Sequence, residues 1–209
     1  MAGHDPRPTP LENRCAPDGS LHAVAARGLL MGNRGGRLHR PDRTLGAARW
    51  RSRAWIACVL DFHSRHRDVW GDGYTEIFFL DEATALAAGH RPCFECRRAD
   101  AHAFAAAWAR AVGLATPPRA AEMDRILHAE RLGPPDPVRF ADLPEGAIFT
   151  ADGDFLLRIA TGARRWSFAG YGPARTYAAG ETVAAITPAH TRAALAAGYR
   201  PQIHPSAVS

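Results

Sequence analysis

The sequence predicts an α+β protein made of a small β/α N-terminal unit, a helical connector and a small β-rich C-terminal domain. Three observations lead to this prediction. Short apolar runs lie among glycine-rich loops up to residue 80, alanine-rich stretches occupy 82–132, and short β-like runs separated by glycine turns return after residue 136. Such an order is typical of sheets and helices that segregate along the chain. With 46% hydrophobic residues, the 209-residue chain is able to bury one large core or two small ones.

Two strands and a short helix are predicted in the N-terminal unit. Residues 55–60 form a short apolar run, and residues 74–80 are rich in aromatic and β-branched side chains, so we expect the two runs to pair. Asp81 stands at the N-cap position of a helix over 82–88, and Gly89 occupies the position that ends it.

The second half of the chain begins with helices and ends with a small sheet. Helices are predicted over 100–112 and 120–132, with Ala-Thr-Pro-Pro between them. Four β-like runs then predict a small barrel or curled sheet, and Thr187-Pro188 opens a final helix that Gly198 ends. The predicted organisation is a weakly structured leader at 1–26, a first folded domain at 27–113, a helical linker at 114–135 and a β-rich domain at 136–209.

A Cys-x-x-Cys pair follows the first predicted helix. Cys93 and Cys96 lie directly after the helix-ending turn, at the spacing with which two thiolates hold one zinc ion at about 2.3 Å. Cys58, on the first predicted strand, is the third expected ligand, whereas Cys15 lies in the leader and is not expected to take part. Four cysteines in 209 residues do not indicate a disulfide framework, so zinc is the predicted cofactor.

The fourth ligand is open at the level of sequence. His63 is the first candidate because it follows Cys58 by five residues, in the loop after the strand. His39 is the second candidate, since it follows the Gly-Asn-Arg-Gly-Gly turn at 32–36. The remaining competitors are His66, His90 and Asp61.

Arginine supplies every one of the 26 basic side chains, because the chain contains no lysine. Ten arginines but only two acidic residues lie between positions 27 and 67, an excess of eight positive charges. Guanidinium groups bind phosphates through a planar fork of donors, so this segment predicts contact with nucleic acid. The predicted contacts are Arg34, Arg37, Arg49, Arg51, Arg53, Arg65 and Arg67.

A metal-dependent nuclease, or another hydrolase that modifies nucleic acid, is an alternative prediction. In that reading His39 is the general base, Arg34 clamps a phosphate and Asn33 is a polar partner in the same glycine-rich turn. A nucleobase deaminase is disfavoured, because the glutamate expected two residues after the upstream ligand is replaced by Leu60.

The segment 78–96 resembles part of the N-terminal zinc domain of the Ada DNA-repair methyltransferase family. Phe78-Phe79, Asp81-Glu82-Ala83 and the run Ala-Leu-Ala-Ala-Gly-His-Arg-Pro-Cys-Phe-Glu-Cys from position 85 match that family's order and spacing. The resemblance implies that Cys93 and Cys96 are the second ligand pair, that Cys58 belongs to the first, and that DNA is the partner. The family's first pair is Cys-x-x-x-Cys; here Trp55 and Phe62 stand three residues before and four residues after Cys58, so the methyl-accepting thiol has no counterpart.

These observations predict a zinc-binding, nucleic-acid-binding protein, related to DNA processing or repair. A zinc-stapled module for protein–protein interaction is a second alternative, in which the arginines pair with an acidic partner. No apolar run approaches the roughly 20 residues that span a bilayer, and the N-terminus is polar, so we expect a cytoplasmic protein without a membrane partner.

Overall fold

A computed structural model of the chain describes residues 10–64 and 68–208. It has the α+β architecture that the sequence predicts. The N-terminal half contains six strands and two helices: β1 (Glu12–Cys15), β2 (Leu21–Ala23), β3 (Leu30–Asn33), β4 (Ile56–Cys58), β5 (Ile77–Phe79), α1 (Glu82–Ala87), β6 (Arg91–Pro92) and α2 (Arg98–Ala111).

The C-terminal half follows with a second helix pair and a second sheet: α3 (Ala120–Glu130), β7 (Asp136–Arg139), β8 (Ile148–Ala151), β9 (Asp154–Ile159), β10 (Gly162–Ser167), β11 (Gly170–Arg175), β12 (Thr182–Ala185) and α4 (Ala189–Ala196). Short 3₁₀ turns occupy Phe140–Asp142 and Pro205–Ala207. Within the described residues, none of these helices combines the length and the apolar character needed to cross a bilayer.

The first sheet has six strands in the order β2-β1-β5-β3-β4-β6. The predicted strands at 55–60 and 74–80 are present as β4 and β5, but they do not pair with each other. Strand β3 lies between them and pairs antiparallel with both. Met31 is opposite Cys58 in β4 and opposite Phe78 in β5. The sequence does not predict β3, because the glycines around residue 32 are typical of a turn. Gly32 is required in the strand, since a Cβ there would lie 2.1 Å from the Ile56 carbonyl oxygen.

The predicted leader contains two strands within its described part. Strands β1 and β2 form an antiparallel hairpin, and β1 pairs parallel with β5 through Arg14 and Phe78. Cys15 is buried in the core of this sheet with Leu30 and Ile77. Burial of alternate side chains in a polar strand explains why composition alone predicted a loop here.

The second sheet is entirely antiparallel, with the order β11-β10-β9-β8-β12-β7. It is an open, six-stranded sheet that covers all four predicted β-like runs and adds β7 and β11. Thr187 does not cap α4 as predicted; its hydroxyl instead accepts the Ile148 N–H at 2.8 Å, which ties the helix entry to β8. Gly198 follows α4 with φ of 99°, as expected for a helix-ending glycine.

Helix α1 lies where the cores of the two sheets meet. All six of its residues are buried. Ala85 packs with the first sheet, Ala83 packs with β8, β9 and β10 residues of the second, and Leu86 packs with α2 and α3. A helix buried on every side is stabilised mainly by tertiary packing rather than by its own propensity.

The polar N-terminus of α1 is bonded to the second sheet and to the C-terminal residues. Asp81 caps the helix as predicted, accepting the Thr84 N–H at 2.9 Å. Its second oxygen accepts the Tyr171 hydroxyl at 2.8 Å and the His204 N–H at 3.0 Å. The Trp166 indole donates to the Thr84 hydroxyl at 2.9 Å. These bonds satisfy buried polar groups that otherwise destabilise a core.

Gly89 ends α1 with φ of 78°, and an alanine Cβ there would lie 2.6 Å from a side-chain carbon of Arg131. Left-handed backbone costs a non-glycine residue roughly 1–2 kcal/mol, and a forced contact costs about 1–3 kcal/mol more. Gly113 has φ of 69° with no atom within 4 Å of its Cβ position, so Gly113→Ala isolates the backbone cost. In urea denaturation we expect Gly89→Ala to be the more destabilising variant; equal losses would contradict the predicted contact.

Candidate metal centre

The first sheet places Cys58 and Cys93 at the ends of two neighbouring parallel strands. Cys58 is the last residue of β4, and Cys93 directly follows β6. The pairs Ile56–Arg91 and Ala57–Pro92 set the register, and the Cys93 N–H continues the ladder by donating to the Ala57 carbonyl at 3.0 Å. Because adjacent strands lie about 4.8 Å apart, this register brings the two thiols side by side.

The turn after β6 returns Cys96 to the same place. The Arg97 N–H donates to the Cys93 carbonyl at 3.0 Å, which closes the turn just before α2 begins. The Sγ atoms of Cys58, Cys93 and Cys96 all lie within 4.8 Å of one another, and none of the three thiols forms a disulfide. In a tetrahedral zinc site the sulfurs lie about 3.8 Å apart, so a small contraction around an ion gives ordinary zinc–sulfur distances.

Hydrogen bonds around the cluster polarise the three thiols. The Glu95 N–H points at the Cys93 sulfur at 3.4 Å. The Cys58 and Cys96 thiols donate toward the same sulfur and lower the pKa of Cys93, whereas hydrogen bonds to Cys93 and Cys96 raise the pKa of Cys58. A bound cation would displace the protons of all three thiols. Three soft thiolates suit zinc, copper(I) or iron.

The described residues bring no fourth ligand into this cluster. No histidine nitrogen or carboxylate oxygen of residues 10–64 and 68–208 lies within 4.8 Å of all three sulfurs. His63, the first candidate, is exposed and lies outside the cluster; it has φ of 53° and its ring centroid lies 4.1 Å from that of Phe62. Asp61 is exposed, and His66 lies outside the described residues.

The other two histidine candidates are committed to contacts in different parts of the fold. His90 is fully buried, with its ring centroid 4.9 Å from Trp55 and 4.7 Å from Phe79. Burial, followed by the charges of Arg34 and Arg131, holds its pKa well below the ordinary value. His90 is therefore a core side chain that lies outside the thiol cluster.

His39 is bonded through both ring nitrogens. Its Nε2 lies 3.0 Å from the Gly71 carbonyl, which only accepts, so Nε2 carries the proton. Its Nδ1 then accepts the Thr75 hydroxyl at 2.7 Å, and that hydroxyl oxygen in turn accepts the Leu38 and His39 N–H groups. The ring also stacks on Trp70 at 5.4 Å. In this arrangement neither nitrogen is available to take a proton from water.

The three residues predicted for nuclease chemistry line three different cavities. Asn33 lies beside the cysteines, and its Oδ1 accepts the Gly35 N–H at 2.9 Å. Arg34 is 3% exposed and lines a cleft between the two sheets, whereas His39 lines a polar cavity with Trp70 and Asp72. The structure therefore does not bring the predicted base, clamp and polar partner to one point.

The arginines predicted to contact nucleic acid also separate. Arg34 is buried, whereas Arg37, Arg49, Arg51 and Arg53 are exposed. Arg37 forms an exposed ion pair with Asp72 at 3.5 Å, and the Arg51 Nε donates to the Arg37 carbonyl at 2.7 Å. Arg65 and Arg67 lie outside the described residues. Four of the seven predicted contacts are thus available to solvent on the loops between β3 and β4.

A cavity of about 360 Å³ adjoins the three sulfurs. Its wall is largely apolar and includes Met31, Ile56, Val59, Val69 and Phe78. Glu76 supplies a buried carboxylate to the wall, and its Oε2 accepts the Trp70 N–H at 2.9 Å. The thiol cluster is therefore reachable from a half-open, mainly apolar cavity rather than sealed on every side.

Sequence reasoning did not find the second group of functional candidates, which lies in the cleft lined by Arg34. Trp50, Trp55 and Arg131 meet there although they are up to 81 positions apart in the chain. No local motif signals such a meeting, because the residues come from a loop, a strand entry and a helix end. Comparison of the chain with family models, curated proteins and solved structures finds no significant match.

Proposed function

We propose that the protein holds one zinc ion through Cys58, Cys93 and Cys96, and that this ion fixes the end of β4 to the turn before α2. The observation that carries the proposal is the convergence of three free thiols within 4.8 Å. The likeness of residues 78–96 to the Ada zinc domain agrees with it. A tetrahedral ion has one further position, which water or His63, after a rearrangement of its loop, would fill.

Cobalt(II) titration of the reduced, metal-free protein tests this proposal. Three thiolates around cobalt give intense sulfur-to-metal absorption, and zinc is expected to displace the cobalt at one ion per chain. His63→Ala should leave the spectrum unchanged if water completes the site and alter it if His63 does. Absence of sulfur-to-metal absorption in the wild-type protein would refute the metal centre.

Nucleic-acid binding is the second function that we propose, with DNA as the partner that the Ada resemblance implies. The favouring observation is that Arg37, Arg49, Arg51 and Arg53 are exposed on neighbouring loops, and that Asp72 alone among the described acidic residues forms an ion pair with any of them. A set of exposed guanidinium groups attracts a phosphate backbone without reading its sequence.

Binding to a DNA duplex should weaken steeply as salt rises, because each phosphate contact releases counterions. We expect Arg53→Gln to reduce the slope of log affinity against log salt by about 1. Arg125→Gln removes the same charge from the exposed face of α3 and should leave the slope unchanged. A flat salt response in the wild-type protein would contradict nucleic-acid binding and favour a protein partner.

A further inference from the structure

A cleft of about 470 Å³ lies between the two halves of the molecule and shares no lining residue with the cysteine cavity. One wall comes from the loop before β4, another from the end of α3, and the third from the entry to α4. Its volume is within the range of roughly 300–1,000 Å³ that is usual for small-molecule sites. The chemistry of its walls indicates what it binds.

Two guanidinium groups pack against the Trp55 ring. The Cζ atoms of Arg34 and Arg131 each lie 3.9 Å from the ring centroid. Cation–π contact of this kind stabilises each charge by about 0.5–2 kcal/mol. Two like charges nevertheless remain close together in a mostly buried setting.

Neither of these guanidinium groups has a carboxylate partner among the described residues. Arg34 donates to the Gly19 carbonyl at 2.7 Å, and to the His90 ring and the Cys15 thiol at 3.4 Å each. Arg131 donates to the Gly89 and Arg53 carbonyls at 2.9 and 2.8 Å, and to the neutral His128 ring. Every acceptor is uncharged, so the positive charge is solvated but not neutralised.

Burial of this unmatched charge has a measurable consequence. Desolvation lowers the pKa of Arg34, and it lowers the pKa of Arg131 to about 9, with the Arg34 charge acting in the same direction. Asp124 opposes the shift of Arg131, but its carboxylate is already engaged by Arg91 through two bonds of 2.8 and 2.9 Å. Buried charge without a counter-ion is costly, and an anion in the cleft would remove that cost.

The acidic side chains of the cleft are bonded to groups other than Arg34, Arg49 and Arg131. Asp136 pairs with Arg192, Glu130 pairs with His190 at 2.5 Å, and Asp18 accepts the Ser20 N–H and hydroxyl at 2.9 and 2.6 Å. Arg49 is a third arginine of the wall; it is exposed and forms no ion pair among the described residues. With four arginines and three carboxylates in its wall, the cleft has one more positive than negative charge, and Arg34, Arg49 and Arg131 form no ion pair with a described carboxylate.

We propose that this cleft binds a nucleotide, with its phosphate against Arg49, Arg34 and Arg131 and its base stacked on Trp50. Guanidinium forks match phosphate oxygens, and the half-buried aromatic ring of Trp50 lines the same wall. The ligand is either a free mononucleotide or one nucleotide of a single strand, because the two share this chemistry. The site is separate from the metal centre, and it shares Arg49 with the surface proposed for duplex binding.

Calorimetric titration of the purified, reduced protein with AMP tests the proposal. Arg49→Gln should weaken AMP binding by about tenfold or more, the usual effect of losing one charged hydrogen bond. Arg125→Gln is the matched control, because it removes an exposed arginine of α3 that does not line the cleft, and it should bind AMP as the wild type does. Both substitutions are at exposed positions, so the variants are expected to fold.

Three further titrations test whether the cleft prefers a nucleotide, and whether that nucleotide is free or part of a strand. Adenosine should bind at least tenfold more weakly than AMP, and inorganic phosphate should also bind more weakly because it has no ring to stack. A single-stranded oligonucleotide that competes with AMP would identify a strand as the source, and one that does not compete would identify the free nucleotide. Absence of AMP binding, or equal binding of AMP and phosphate, or equal loss in both arginine variants, would overturn the proposal.

Discussion

A Cys93→Ser variant is expected to lose stoichiometric zinc and to unfold at markedly lower denaturant concentration than the wild type. Cys93 is the most buried of the three clustered cysteines, and it is bonded both to β4 and to the turn before α2. Zinc binding of this kind contributes on the order of 10 kcal/mol to folding in small domains. Since this chain also has large apolar cores, we expect a loss of several kcal/mol rather than complete unfolding.

Cys15→Ser provides the matched control for this experiment. Cys15 is also a buried free thiol of the first sheet, but it lies outside the cluster and contacts Arg34 at 3.4 Å. It should retain one zinc per chain. Elemental analysis measures the metal content of each variant. Urea denaturation with and without a chelator measures its stability. If Cys93→Ser keeps its zinc, or if chelation leaves the wild-type unfolding curve unchanged, the structural role of the ion is refuted.

Glu82→Gln is expected to lower the free energy of unfolding by about 3–5 kcal/mol, the usual cost of breaking a buried ion pair. Glu82 is 1% exposed and pairs with Arg97 at 2.8 Å. It also accepts the Tyr199 hydroxyl at 2.5 Å and the Gln202 N–H at 2.8 Å. An amide in this position turns one acceptor into a donor facing other donors, and it leaves the Arg97 charge without its buried partner.

Asp142→Asn makes the same chemical change in an exposed ion pair. The Asp142 and Arg139 side chains are 53% and 67% exposed, so the loss should stay below about 1 kcal/mol. Because Arg97 directly follows Cys96, Glu82→Gln should weaken zinc binding as well, whereas Asp142→Asn should not. Equal unfolding free energies for the two variants would show that the buried pair contributes no more than a surface one.

The sequence predicted the features that local chemistry determines. Patterns within a short stretch of sequence predict helix α1 with its Asp81 cap and helices α2 and α3. The association of Cys58 with the Cys-x-x-Cys pair depends on a single strand register. The prediction was wrong where pairing depends on distant segments. Strands β1, β2 and β3 are short and contain polar residues or glycine, so only their neighbours in the sheet make them strands.

The candidate sites also divide into features that local sequence predicts and features that depend on distant segments. From the sequence, Arg34 is one of ten arginines in a positively charged segment. Nothing in that segment indicates that its guanidinium group lies in the core with Trp55, His90 and Arg131. The fourth metal ligand was open for a related reason. Spacing indicates that His63 is close to Cys58 along the chain, but the direction of the loop depends on backbone angles that its sequence does not specify.

The bonds that secure α1 also constrain when the molecule can fold during synthesis. Glu82 and Tyr199 are separated by 117 positions, and Asp81 and His204 by 123, so the ribosome must add more than a hundred residues before this helix has its partners. At roughly 5–20 residues per second, that interval lasts several seconds or more. Cys93 and Cys96 therefore leave the ribosome several seconds before Tyr199 and His204 are added. During that interval the three thiols of the cluster have to stay reduced.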